Sequence, residues 1–86
     1  MIHKLKAEQK WLSRILTGEK TFDVRKNDRD YQVGDTIQLL PLQTKVDGLD
    51  VYSIRSPIPN YSITYIYYGP GMDTGYVVLG LKEIKN

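Results

Sequence analysis

Eighty-six residues with a formal net charge of +2, no cysteine and a single histidine make one small domain spanning residues 1–86, and a chain this short buries only about 60–65% of the surface its unfolded form exposes. Neither a disulfide framework nor a thiolate metal site supplements the core, and a lone His3 builds no zinc site, so no metal and no cofactor is expected. No window reaches the roughly 20 apolar residues of a membrane span, and Met1-Ile2-His3-Lys4 leads straight into patterned sequence instead of a signal-peptide apolar region, which predicts a cytoplasmic chain.

Ile2-His3-Lys4-Leu5-Lys6 alternates loosely and reads as a short strand. Ala7, Trp11, Leu12, Ile15 and Leu16 then recur at helical spacing, with Lys10, Ser13, Arg14 and Thr17 on the opposite side, so a helix from Ala7 to Thr17 is expected to bury Trp11, Leu12, Ile15 and Leu16. Gly18 ends it, the left-handed conformation at a helix C-terminus being open to glycine at little steric cost. From Thr21 to Lys26 the period becomes two: Phe22 and Val24 face one way, expected to be the core, and Thr21, Asp23 and Arg25 the other. Val33-Gly34-Asp35 marks a turn. Thr36 to Leu42 is a strand with Ile37 and Leu39 inward and Pro41 near its end.

Residues 43–60 fit a loop with ragged edge strands, Asp47-Gly48 being a hairpin-type turn and Pro57 and Pro59 arguing against a central strand. Tyr61 to Tyr68 is a β-rich run in which Tyr61, Tyr65 and Tyr67 are read as barrel packing. "GPGMDTG" is a turn, its Asp73-Thr74-Gly75 lacking the apolar strands that surround an aspartic-protease dyad. Tyr76 to Ile84 alternates, with Val77, Leu79 and Leu81 inward. One N-terminal helix and four to six short strands without a βαβ rhythm predict an α+β fold, a small, mostly antiparallel barrel carrying a helix.

The stretch Gly18–Asp35 holds nine charged side chains in eighteen residues. Residues 1–30 carry eight Lys/Arg against five acids, a net +3, while the remainder carries −1. Such a patch in a near-neutral chain suits an anionic ligand that is positioned by forked arginines and mobile lysines. Asn27-Asp28-Arg29-Asp30 also fits a self-bonded loop whose acids pair with Arg25 or Arg29. Gly69-Pro70-Gly71 lacks the Gly-Lys-Ser/Thr of a P-loop, and His3 reads as a core or strand-end histidine. Tyr31 and Tyr68 sit in loop positions freer to face a ligand.

The residues His3-x-Leu5-Lys6, Gly18-x-Lys20-Thr21-Phe22-Asp23-Val24-Arg25-Lys26-Asn27-Asp28-Arg29-Asp30-Tyr31-x-Val33-Gly34-Asp35 and Gly75-Tyr76-Val77-Val78-Leu79-Gly80-Leu81 resemble a small ASCH domain of the PUA-like superfamily, in its short bacterial and phage subfamily. The resemblance implies a β-barrel with a helix packed near its mouth, a cleft between them, and binding of RNA or modified nucleotides. Position 23 is Asp where the subfamily usually has Glu, and Pro41 stands where a Glu is expected. Some ASCH domains are amidohydrolases acting on N4-acetylated cytidine through a Lys, a Thr and a distant Glu. Lys20 matches that Lys, but the Thr column aligns with Asp23, Thr21 is adjacent to Lys20, and no acidic insertion supplies the Glu.

Two functional classes follow. In one, the domain binds RNA or a nucleotide without catalysis: Lys6, Lys20, Arg25 and Arg29 take phosphate, Asp23 accepts from a base or ribose, and Tyr31 or Tyr68 stacks. In the other, it is a small nucleoside or RNA hydrolase, amidohydrolase-like or a ribonuclease, with Lys20 acting alongside Asp23 or Thr21. A protein partner of unstated identity is the third, weaker reading.

Overall fold

A computed structural model describes residues 1–41, 44–46, 49–51 and 58–85. In chain order these form β1 (Ile2–Ala7), α1 (Gln9–Thr17), β2 (Phe22–Lys26), β3 (Thr36–Pro41), β4 (Thr44–Val46), β5 (Leu49–Val51), β6 (Asn60–Tyr67) and β7 (Tyr76–Glu83). Five strands make one curled, half-barrel sheet in the order β1-β3-β6-β7-β2, and β4 pairs with β5 alone. The fold is α+β. The sheet is mixed: β1 runs parallel to β3, and the other three pairings are antiparallel.

Strands β1 and β2 are the two edges of the sheet, and α1 lies between them in sequence. A single helix thus carries the chain from one edge to the other. Nine residues are too few for a stable isolated helix, so α1 depends on packing Leu12 and Ile15 into the core, with Leu16 partly buried beside them. Glu8 supplies no side-chain cap at its start, whereas Gly18, at φ 85°, ends it with its N–H on the Ile15 carbonyl. The next bond, Lys20 N–H to the Arg14 carbonyl at 3.0 Å, folds the chain back so that Lys20 stands under the helix C-terminus, where a cation is favoured.

The core occupies the concave side. His3, Leu5 and Ala7 of β1, Ile37 and Leu39 of β3, Tyr61 and Ile63 of β6, and Val77, Leu79 and Leu81 of β7 are all buried. Three expectations need correcting. Trp11 is 44% exposed: α1 buries the narrow stripe at Leu12 and Ile15, and Trp11 falls on its flank. On β2 the two faces are the reverse of the sequence reading, for Asp23 is only 7% exposed while Phe22 and Val24 are 44% and 47% exposed. Residues directly opposite across a ladder share a face, and Asp23 and Arg25 oppose the buried Leu79 and Val77, whereas Phe22 and Val24 oppose Gly80 and Val78.

The third correction concerns the tyrosines of β6. Ile63 pairs with Leu81 but Tyr65 pairs with Gly80, so Thr64 is an extra residue, a β-bulge. A bulge resets the alternation, leaving Tyr61 buried and Tyr65 and Tyr67 outside. Gly80 makes room for it, since a Cβ there would lie 2.9 Å from Thr64 Oγ1. The expected turn over residues 69–75 is present, with Met72 N–H on the Gly69 carbonyl and Tyr76 N–H on the Asp73 carbonyl. Pro41 ends β3, beyond the three positions at which β3 pairs with β6. Asp47-Gly48 and Pro57 lie outside the described residues.

Candidate functional site

The curl of the sheet brings its two edges together, and arginines bridge them. Arg25 of β2 donates from Nη1 to the Lys6 carbonyl of β1 at 2.8 Å, and Arg29, just beyond β2, donates from Nη1 to the Lys4 carbonyl at 3.2 Å. Edge carbonyls that a neighbouring strand would otherwise satisfy are met here by guanidinium groups. Arg25 also donates from Nε to Asp23 Oδ2 at 2.6 Å, so its fork joins the carboxylate of its own strand to the backbone of the opposite edge.

Asp23 is the hub. Its other oxygen, Oδ1, lies 3.5 Å from Lys20 Nζ, and all three side chains are largely shielded, at 11% exposure for Asp23, 15% for Lys20 and 20% for Arg25. The Lys20 ammonium further sits 4.9 Å from the ring centre of Trp11 and 5.5 Å from that of Phe22, positions of favourable cation–π attraction. The triad carries a net single positive charge. It explains the reversed faces of β2: at an edge strand beneath the helix, the inward positions meet a cleft rather than sealed apolar core, and charges there find partners.

Two concavities open on this seam and share Lys6 and Arg25 as lining residues. The larger, of about 410 Å³, presents Lys4, Lys6, Arg25, Lys26 and Arg29 against a single acid, Asp28, with Tyr31 in its wall. The second, of about 270 Å³, runs under the helix between Trp11, Ile15 and Asp23. Thr21 lines a separate hollow of about 230 Å³ at the helix C-terminus, shared with Lys20, while its carbonyl accepts the Leu81 N–H at 2.8 Å.

Of the residues singled out from the sequence, Lys6, Lys20, Asp23, Arg25 and Arg29 stand in one neighbourhood, along the seam and under the helix. Tyr31 needs correction: at 7% exposure it is a core residue, its ring edge-on to His3 at 4.8 Å, and so is no exposed stacking platform. Burial raises its phenol above the usual value, offset in part by the charges of Arg25 and Arg29. Tyr68 is exposed but is not among the side chains lining the seam. Lys4, Lys26 and Trp11 were not singled out; for Lys4 the signal was available, because alternation with the inward His3 and Leu5 already turns it outward.

Much of the acidic half of the charged stretch is structural. Asp35 is buried; its Oδ2 is 2.8 Å from His3 Nε2 and accepts the Gln32 N–H at 3.0 Å, and its Oδ1 accepts from the Met1 amine at 3.3 Å. The hydrogen bond to His3, ahead of those from Gln32 and the amine, holds this carboxyl below its ordinary value against the opposing effect of burial. Asp30, at φ 47°, accepts from the Gln32 side-chain amide at 3.1 Å. No local pattern announces the His3–Asp35 contact, made across 32 positions.

Among the described residues no three His, Cys, Asp or Glu side chains converge as a metal site would require, and no helix is long and apolar enough to cross a membrane. No curated protein matches the chain. One family model does, running from residue 2 to residue 81 and so taking in both edges of the seam, the helix between them and most of β7. On that span the chain belongs to the family described as Domain of unknown function (DUF3850).

Proposed function

We propose that the chain is an RNA- or nucleotide-binding domain of the ASCH, PUA-like kind, with its ligand seated in the seam between β1 and β2. The observation that carries this reading is the 410 Å³ concavity lined by five cationic residues and one acid. Phosphate takes the charges of Lys4, Lys6, Lys26 and Arg29, while Arg25, fixed by Asp23 and the Lys6 carbonyl, orders the floor. Fixed guanidinium and backbone geometry lowers the ordering cost of binding. A base or ribose reaches the second concavity, where each Asp23 oxygen keeps a further lone pair for a donor and Trp11, with the Lys10 and Lys20 ammoniums 4.8 and 4.9 Å from its ring centre, lines the wall.

Hydrolysis by Lys20 with Asp23 or Thr21 is the second reading. It is favoured by the shielded Lys20–Asp23 contact. Binding is preferred because both Asp23 oxygens are engaged by cations and Lys20 is held against a carboxylate and two ring faces, an arrangement that fixes charge rather than freeing a base.

The test is a titration of wild type, Lys6→Ala and Arg29→Ala against uridine monophosphate and short RNAs at two salt concentrations, with chromatography of the mixtures. Each variant is expected to weaken binding evenly across sequences and to lower the salt slope by about 0.7 for each phosphate of a single strand that it no longer neutralises. Affinity indifferent to both substitutions would refute the seam as the site. Product that disappears with Lys20→Ala would move the reading to hydrolysis.

A further inference from the structure

The reversal of β2 puts its apolar side chains on the outside of the sheet, where they meet those displaced by the bulge of β6. Across β2, β7 and β6 the register sets Phe22 opposite Gly80 and Gly80 opposite Tyr65, then Val24 opposite Val78 and Val78 opposite Tyr67, and Lys26 opposite Tyr76. Phe22, Val24, Tyr67 and Tyr76 are 38–47% exposed and Tyr65 is 64% exposed. This is a contiguous outer face rich in rings. A contiguous apolar patch on an otherwise polar surface marks an interaction site.

Its chemistry selects the occupant. The outward positions of these three strands carry Lys26 and Lys82 and no acid, and Lys20 reaches over the Phe22 ring at its margin. Rings and cations without a carboxylate among them match single-stranded nucleic acid, which takes ring planes for its bases and positive charge for its phosphates. The spacing agrees. Tyr65 and Tyr67 lie two residues apart on one face, about 6.8 Å along the strand; that is about twice the 3.4 Å rise of stacked bases, so each ring serves one base of an extended strand. Gly80 leaves the row between Phe22 and Tyr65 without a side chain, and Thr64 Oγ1 stands at that gap as a hydrogen-bonding group. Tyr67 is held in place by its hydroxyl on the Pro70 carbonyl at 2.7 Å, with its ring against Gly69.

We infer that the outer face of β2, β7 and β6 is a second binding site, a stacking platform for single-stranded nucleic acid, with Phe22, Tyr65, Tyr67 and Tyr76 as base-contacting residues and Lys82 on phosphate, Lys26 standing on the border that the face shares with the seam. It rests on the seam reading for the class of ligand only, since none of the four rings lines the cationic concavity. The face offers ring planes and ammonium charges, so RNA and DNA strands are bound alike.

Fluorescence anisotropy with labelled U8, labelled dT8 and, in competition, uridine monophosphate tests it on wild type, Tyr65→Ala, Tyr65→Phe, Tyr76→Ala and Arg29→Ala. Tyr65→Ala and Tyr76→Ala are each expected to weaken octamer binding about tenfold, the loss of one stacked base, and to leave the mononucleotide unaffected. Tyr65→Phe keeps the ring and is expected to bind as wild type. Octamer affinity unchanged by both alanine variants overturns the platform, as does wild-type binding of the octamer no tighter than the mononucleotide. Sedimentation revealing a dimer that Tyr65→Glu dissociates would hand the face to a second copy of this chain and overturn it equally. Octamer binding that depends on Tyr65 and Tyr76, in a protein that binds no mononucleotide and ignores Arg29→Ala, refutes the seam while sustaining the platform. A wild type that binds neither refutes both.

Discussion

Replacing Asp23 with alanine removes the one anion that two shielded cations share. Deleting one member of a fully buried ion pair costs about 3–5 kcal/mol, because the surviving charge is left uncompensated. Here the survivors keep part of their environment: Arg25 still donates to the Lys6 carbonyl at 2.8 Å, and Lys20 still faces the rings of Trp11 and Phe22 at 4.9 and 5.5 Å. Their side chains also retain 20% and 15% of their exposure, so water tempers the loss. The expected cost is therefore about 2–3 kcal/mol, a large share of the ~5–15 kcal/mol typical of a whole domain. Urea denaturation at neutral pH reads it as a midpoint about 1–2 M below wild type. Adding Lys20→Met to Asp23→Ala is expected to restore part of the loss by removing one of the stranded charges. An outward carboxylate, by contrast, changes stability by no more than about 0.5 kcal/mol. A measured loss below ~1 kcal/mol would refute the inward hub, and with it the reversed faces of β2.

Leu12→Ala is expected to cost about 2–5 kcal/mol, because Leu12 is fully buried, while Trp11→Ala costs distinctly less despite the larger deletion; equal losses in denaturation would mean that the helix buries a broader face. Acid dependence follows from Asp35. Its carboxyl titrates below its unfolded value of about 3.9, so its contribution is complete above that pH and is lost as pH falls through the lower folded value. Asp35→Asn is expected to be less stable at neutral pH and to show a shallower decline below about pH 4. Denaturation curves for wild type and Asp35→Asn that run parallel across pH 2–7 would refute the His3–Asp35 account.

Periodicity alone carried a good deal of this protein. The short strand at Ile2–Lys6, the helix ended by Gly18, the alternation of Val77, Leu79 and Leu81, and the common face of Asp23 and Arg25 are all local matters of backbone geometry, although Ala7, grouped with the helix by its spacing, closes β1 instead and the helix begins at Gln9. Charge density likewise pointed to the Lys20–Arg29 stretch. A period of two, however, says which residues share a face and is silent on which face turns inward. On β2 the apolar pair Phe22 and Val24 looked like the buried one, and the opposite holds because β2 is an edge strand under the helix, in register with Leu79 and Val77. Whether an alternation survives to the end of a strand also depends on the neighbour: a glycine at position 80 admits the Thr64 bulge and moves Tyr65 and Tyr67 to the outside. The same holds for the seam, where Arg25 and Arg29 find carbonyls 19 and 25 positions away, and for Asp35, which finds His3. Those partners are supplied by the curl of the sheet, which adds the right-handed twist of every strand and so belongs to the assembled sheet rather than to any short stretch of sequence.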